Sequence, residues 1–374
     1  MPTALAHETH VTELERTPER VVQEKIVLIA VNVLATANLV WFYVNRVPSY
    51  ITLDRYEVGQ ERMPFQGRVL MEWPLRWAHQ SHLVGAFAAW LTALHLWLPR
   101  GVLPEDIVEF IVGFAAVIVA GLVARDMYIV HSRRQRLSAY VYPFFLVMVA
   151  VSYCMEANHF FRFFYDLPSL GLFALGLYLI YRRRSLLLFA LVFIVATLNR
   201  ETSLFLLPFF VLSYCVVDEQ VIWKRALTWR IGGTATLLAA LWLTWHVWIT
   251  RHFASLASES AHHILVNIGF VMWPLCWPQV AAVGTYTVPL LLFFKTKSRP
   301  TELRLWMWVV PLWAIFMMVF GVISEIRLFG ELLPLFACMA VLLAEDRLFT
   351  GETLHVSQPS NSEWETMSSF ANRF

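Results

Sequence analysis

Charge is the scarce commodity in this chain: only 15% of its 374 residues are Asp, Glu, Lys or Arg, against 58% hydrophobic, and the mean hydropathy is +0.58. A soluble domain cannot be assembled from that balance; a membrane chain can. Cysteine is nearly absent, and Cys154, Cys215, Cys276 and Cys338 stand far apart in or beside apolar runs, which excludes a CxxC redox or metal motif. The sequence has no Walker loop, dinucleotide glycine pattern, HExxH or GxSxG turn, so ATPase, dehydrogenase, zincin and hydrolase readings have nothing to stand on. The net charge of +2 carries no basic stripe, which excludes nucleic acid as a partner.

What is present is a series of apolar blocks bounded by charge or proline. The candidate spans are Ile26–Tyr43, His82–Leu98, Ile107–Val130, Leu137–Tyr153, Leu167–Tyr181, a broken pair within Leu186–Val217, Ala226–Ile249, part of Ile264–Phe294, Arg304–Gly321 and Leu328–Leu343. They predict an all-α, polytopic helical membrane protein with ten or eleven crossings. The polar segment 1–23 has neither the basic start nor the small-residue cleavage site of a signal peptide, so the first apolar run is expected to stay as an anchor. A membrane domain over 24–349 and a loose, Ser- and Asn-rich tail over 350–374 complete the expected organisation.

Leu186–Val217 breaks the apolar rule at its centre, where Asn199, Arg200, Glu201 and Thr202 stand together. One helix of that length would run about 48 Å, too long for about 30 Å of hydrocarbon. Two segments meeting at a polar tip fit better, with Arg200 and Glu201 facing headgroups, water or one another.

The short basic loops Ser132–Arg136, Arg182–Arg184, Lys224–Arg225 and Lys295–Arg299 belong in the cytoplasm by the positive-inside rule. That choice puts Met155–Asp166, Asn199–Thr202, Thr250–His263 and Ser324–Arg327 outside. Upstream it creates a parity conflict: three spans before Ser132 put the N-terminus outside and Pro48–Gln80 inside, whereas the uncleaved N-terminus suggests the reverse.

Pro48–Gln80 is the longest interior stretch without a span, and its aromatics argue against disorder. Asp54 and Glu57 share a face if that portion is helical, and Arg68 follows the Pro64–Gly67 turn. Met155–Ser169 holds Glu156, His159, Arg162 and Asp166 among aromatics; Asp166 before Pro168 also reads as an ordinary helix start, and His159 as a base or headgroup contact. Adjacent His262 and His263 do not share a helical face. In Ser324–Pro334, Arg327 and Glu331 are spaced to pair on one helical face, with Glu325 projecting elsewhere. Arg200, Glu201, Glu325, Arg327 and Glu331 are expected to line one cavity.

The loop carrying Asp54 and PFQGRVL, the YDLPS at Tyr165–Ser169, LNRETSLFLLP at Leu198–Pro208 and EIRLFGELLP at Glu325–Pro334 resemble a group of bacterial polytopic membrane proteins. That group is similar to the GT-C glycosyltransferases, and the resemblance runs from Ile26 to Leu343. It implies a GT-C-like fold in the bacterial inner membrane and transfer of a sugar from a polyprenyl-phosphate donor to an extracytoplasmic glycan or lipid-linked acceptor. In such enzymes a carboxylate of the first extracytoplasmic loop serves as base, and Asp54 matches that position; the chain departs in lacking a large soluble C-terminal domain and a firm DD or DE pair in that loop.

Asp54, Glu57 and Glu201 are thus the candidate catalytic carboxylates. Arg68, His159, Arg162, Asp166, Asn199, Arg200, Glu325, Arg327 and Glu331 are the candidate substrate contacts. No cofactor is required; a divalent metal is compatible with Asp54, Glu57 and Glu61, although no defined ligand geometry supports one. Other readings of the same charges are a secondary transporter or flippase for an anionic or lipid-linked solute, and a glycan polymerase or ligase.

Overall fold

The computed structural model describes residues 18–94, 101–132, 134–155, 161–259, 263–293 and 300–349. Glu156, His159, His262, Lys295–Arg299 and the tail 350–374 lie outside the described residues.

Sixteen α-helices follow in order among them. α1 (Pro18–Arg46) leads into α2 (Leu53–Glu57), α3 (Glu72–Gln80) and α4 (His82–Ala93). Then come α5 (Pro104–His131), α6 (Ser138–Cys154), α7 (Asp166–Tyr181), α8 (Leu186–Asn199), α9 (Leu206–Cys215) and α10 (Thr234–His252). α11 (Ile264–Met272), α12 (Trp277–Ala281), α13 (Thr287–Phe293), α14 (Thr301–Trp306), α15 (Val309–Phe320) and α16 (Leu333–Leu348) complete the chain. The departure from all-α is a two-residue hairpin, Val216–Val217 against Gln220–Val221, whose turn residues Asp218 and Glu219 both take positive φ, as such short hairpins require.

Four helices are long and apolar enough to cross a membrane: Val22–Arg46, Pro104–His131, the continuous Thr301–Phe320 and Ile326–Leu348. A fifth is available if the pair Ile264–Met272 and Pro274–Ala281, bent by 93°, counts as one span. This is consistent with a multi-pass membrane protein, but length alone supports fewer crossings than the ten or eleven expected. The reason is that α4, α6, α7, α8 and the segment Glu201–Cys215 are apolar but only 10–17 residues long. Bare apolar faces such as Ile26, Ile29 and Leu34 of α1, or Leu187 and Leu191 of α8, fit lipid and not water.

α5 is the axis, packed by α1, α3, α6, α7 and α16. Its start is well specified: Pro104 occupies the first turn with Glu105 and Asp106, and the Asp106 carboxylate accepts the Leu103 N–H at 2.9 Å. α7 crosses α5 at Gly171, where a Cβ would sit 2.7 Å from the Ala116 Cα, so only glycine permits that approach. A run of fully buried aromatics, including Phe145, Phe173, Phe209, Trp306 and Trp313, fills the core behind this contact.

The bundle has two chemically different ends. At one end, buried Glu345 of α16 accepts the Tyr128 hydroxyl at 2.6 Å and the Arg136 N–H at 3.0 Å, while Arg182 pairs with Asp126; the basic loops after α5, α7 and α9 gather here. The opposite end collects the C-termini of α1, α8, α10 and α15 and the starts of α5, α7 and α16.

The parity conflict turns on α4. His79, just before α4, bonds Glu105, and Thr92, near its end, accepts the Val102 N–H at 2.9 Å. The end of α3 is therefore tied to the first turn of α5 and the end of α4 to the residues just before it, and Val84, Ala88 and Leu91 pack around Val102 and Ile107. α4 thus lies against the start of α5, and α1 and α5 are the long apolar helices before Ser132 among the described residues. The described residues 47–94 and 101–103 lie at the end opposite the basic loops.

Candidate functional site

The loop after α1 is stitched down by backbone hydrogen bonds. Tyr50 donates to the Arg162 carbonyl at 3.2 Å and Arg162 to that of Pro48 at 2.9 Å; Met63 and Glu259 complete a second bridge, to the segment after α10. Inside the loop, Glu61 accepts the Thr52 N–H and Gln66 accepts the Glu61 N–H. Tyr50, Phe65, Phe163 and Tyr165 join it to the start of α7 through ring contacts. A loop so tied cannot be a lipid-resting helix alone; it forms a lid over the end of the bundle.

Beneath it, α8 stops at Arg200, whose extended backbone (φ −161°, ψ 144°) feeds a 3₁₀ turn over Glu201–Phe205 before α9 resumes. The break lies at the tip expected from the sequence. Asn199 donates to the Tyr165 carbonyl at 2.9 Å, and Thr197 and Ser203 hydroxyls meet at 3.0 Å across the break.

Four of the expected contacts form one buried ionic network with Glu325 at its edge. Arg200 lies 3.1 Å from Glu331 and 3.5 Å from Asp166; Arg327 lies 3.3 Å from Asp166 and 2.6 Å from Glu325. Glu331, wholly buried, also accepts the Ser169 and Thr202 hydroxyls at 2.7 and 2.8 Å, and Asp166 accepts the Tyr43 hydroxyl at 3.2 Å. Arg327 stacks 3.9 Å from the Phe163 ring centroid.

Three expectations are corrected here. Arg327 and Glu331 do not pair, because Ile326–Leu332 is a 3₁₀ helix in which residues four apart diverge, and Glu325 shares the same arginine. Asp166 opens α7 without capping it, and spends its carboxylate on two arginines. Of the five residues expected to line one cavity, Arg200, Arg327 and Glu331 are instead buried in a shared ionic network with Glu325 at its edge, and Glu201 stands outside it.

Glu201 stands apart, partly exposed, with Arg68 of the lid 3.2 Å away. Arg68 lies over the Tyr165 ring at 4.2 Å, and Trp242 donates to the Glu201 carbonyl at 3.0 Å. Among the described residues this is the ion pair that joins the lid to the α8 break, with both side chains partly exposed. Arg62, the neighbouring lid arginine, is paired with Glu259.

Arg162 belongs to a different group. It lies 3.2 Å from Asp106 and 3.0 Å from Glu109 and also donates to the Val44 carbonyl. With Asn45, Glu105, Leu53 and Phe164 these residues line a cavity of about 470 Å³. Its wall carries three carboxylates against Arg162 and Arg46.

Glu105 also belongs to a triad with Glu57 and His79, whose ligand atoms lie within 4.8 Å of one another. Glu57 and Glu105 are buried and His79 is exposed, so the triad can hold a metal ion from the lid side. The hydrogen bond to Glu105 raises the His79 pKa, and burial raises that of Glu57. Asp54 is exposed one turn from Glu57 and acts on both groups only through its charge; it makes no ion pair with Arg68 among the described residues.

Glu105, Asp106, Glu109 and His79 were missed by the sequence reading. The signal was available: three acidic residues opening a 28-residue apolar helix exceed what helix capping needs. Comparison with protein-family models, with curated proteins and with solved structures finds no match.

Proposed function

We propose that the chain is a membrane glycosyltransferase that moves a sugar from a polyprenyl-phosphate donor to a glycan or lipid-linked acceptor at the extracytoplasmic face of a bacterial inner membrane. The observation that carries this reading is the Arg68–Glu201 pair, partly open to solvent, between the lid and the α8 break. Positive-inside orientation of the basic end puts this pair outside.

Arg68 is the arginine suited to the donor. Arg200 and Arg327 are already neutralised by Asp166, Glu331 and Glu325, so their role is to hold the break and the 3₁₀ segment in register. A phosphate arriving at Arg68 competes for its fork-shaped donors and releases Glu201. Glu201 then accepts the proton of the acceptor hydroxyl as its oxygen bonds to the anomeric carbon. The bond from that carbon to the phosphate oxygen breaks, and the lipid phosphate leaves with the electron pair, its charge held by Arg68. Asp54, exposed on the same lid, is the competing candidate for the base.

The test is transfer by the purified full chain in nanodiscs, using a panel of radiolabelled polyprenyl-phosphate sugars and membrane lipid extract. Glu201→Gln should lower product formation on the order of 10²-fold or more while Asp54→Asn leaves it within a few fold. The opposite pattern transfers the role of base to Asp54. Equal product from wild type and both variants removes carboxylate catalysis at the lid. No transfer by wild type, with labelled solute accumulating in proteoliposomes, replaces the enzyme with a transporter.

A further inference from the structure

We infer that Glu57, His79 and Glu105 form a binding site for a divalent transition metal, with zinc the best match. The three donors come from separate places in the chain: Glu57 from α2, His79 from α3 and Glu105 from the first turn of α5. Their ligand atoms converge within 4.8 Å. Around a tetrahedral ion with bonds of about 2.1 Å, neighbouring ligands sit about 3.4 Å apart, so modest side-chain rotation closes the set.

A second observation points to a ligand. Glu57 is 9% exposed and its Oε1 is buried with no hydrogen-bond partner, although unsatisfied buried carboxylate oxygens are costly. The nearby cation does not serve it: Arg76 donates to the Glu57 backbone carbonyl and pairs with Glu72 instead. A metal ion between Glu57 and Glu105 satisfies that oxygen and offsets two carboxylates held close together.

The donor set selects the class. One imidazole nitrogen with two carboxylates suits zinc or manganese, whereas calcium and magnesium prefer all-oxygen shells. Three protein ligands also leave a coordination position open, as in catalytic sites and unlike closed structural ones. Glu105 carries the triad to the wall of the 470 Å³ cavity, where an oxygen of a bound molecule can complete the shell. The cavity wall is otherwise too acidic to receive an anion, and a bound divalent ion reverses that balance. The site does not depend on the transferase reading.

The experiment uses the full chain purified in nanodiscs, stripped with chelator, desalted and titrated with zinc alone, with manganese and calcium in parallel. Bound metal is measured by mass spectrometry and thermal unfolding is followed in each sample. The expected result is one zinc per chain, a rise in Tm, and at least a tenfold loss of affinity in His79→Ala and in Glu57→Gln. Because His79→Ala also removes the bond to Glu105, size-exclusion and circular dichroism check its fold, and Glu57→Gln, which leaves that bond in place, is the independent variant. Zinc held with unchanged affinity by His79→Ala places the ion on other histidines and overturns the inference. So does the absence of stoichiometric zinc or manganese on the wild type. Both readouts are independent of sugar transfer, so failure here and failure of the transferase assay are separable.

Discussion

Glu331→Gln is the sharpest perturbation of the buried network. Glu331 is wholly buried, and its Oε1 receives Arg200 at 3.1 Å, Ser169 at 2.7 Å and Thr202 at 2.8 Å. The amide keeps the side chain's size and one acceptor, and both hydroxyls can rotate to suit it. What is lost is the countercharge to Arg200, which is left with Asp166 at 3.5 Å, itself shared with Arg327 at 3.3 Å. Removing one partner of a buried ion pair costs about 3–5 kcal/mol. Because the hydrogen bonds are partly retained, the lower part of that range, about 3 kcal/mol, is expected here. Denaturant unfolding of the purified protein in micelles measures it. A double-mutant cycle with Arg200→Gln should return a coupling of about 1.5–3 kcal/mol. The paired replacement Arg200→Met with Glu331→Leu should be more stable than either single change, since it leaves no buried charge unmatched within the pair. A Glu331→Gln cost under about 1 kcal/mol, or additive singles, would refute the reasoning, because it would mean that water already screens the network.

Other consequences are more local. Gly171→Ala should destabilise the protein by about 2 kcal/mol or more in the same unfolding assay, because the added methyl meets the Ala116 backbone and α5 must separate from α7. Arg68→Ala should leave stability within about 1 kcal/mol, as expected for a partly exposed pair, yet raise the KM for a lipid-phosphate donor; an unchanged KM removes Arg68 from donor binding.

Much of this end of the molecule was legible in the sequence because charge in an apolar chain is costly. Arg200, Arg327, Glu331 and Asp166 announce themselves by standing where a hydrocarbon-facing residue should be, and the cost forces them to meet. Which partner each takes was not legible. That depends on whether Ser324–Pro334 winds as α or 3₁₀, and the 3₁₀ form brings Gly330 so close to Tyr153 that a Cβ would lie 1.8 Å from its hydroxyl. Such a contact between distant segments leaves no local trace. α4 misled for the converse reason: hydropathy reports that a segment avoids water, not whether it crosses or lies against the bundle. Its position is set by His79–Glu105 and Thr92–Val102, contacts of sequence separation 26 and 10. The acidic start of α5 was visible but passed over: Asp106 accepts the Leu103 N–H there and also holds Arg162.

The central claim is that the lid, the loop after α1 carrying Asp54 and Arg68, lies on the same side of the membrane as the α8 break and opposite the basic loops. Single-cysteine labelling of intact cells tests it directly, in a background with the three buried cysteines and half-buried Cys276 replaced. Asp54→Cys and Glu201→Cys should both react with an impermeant maleimide added from outside, while Arg183→Cys reacts only after the membrane is opened. Labelling of position 54 only after opening, with position 201 labelled from outside, would put the lid on the wrong side and contradict the account.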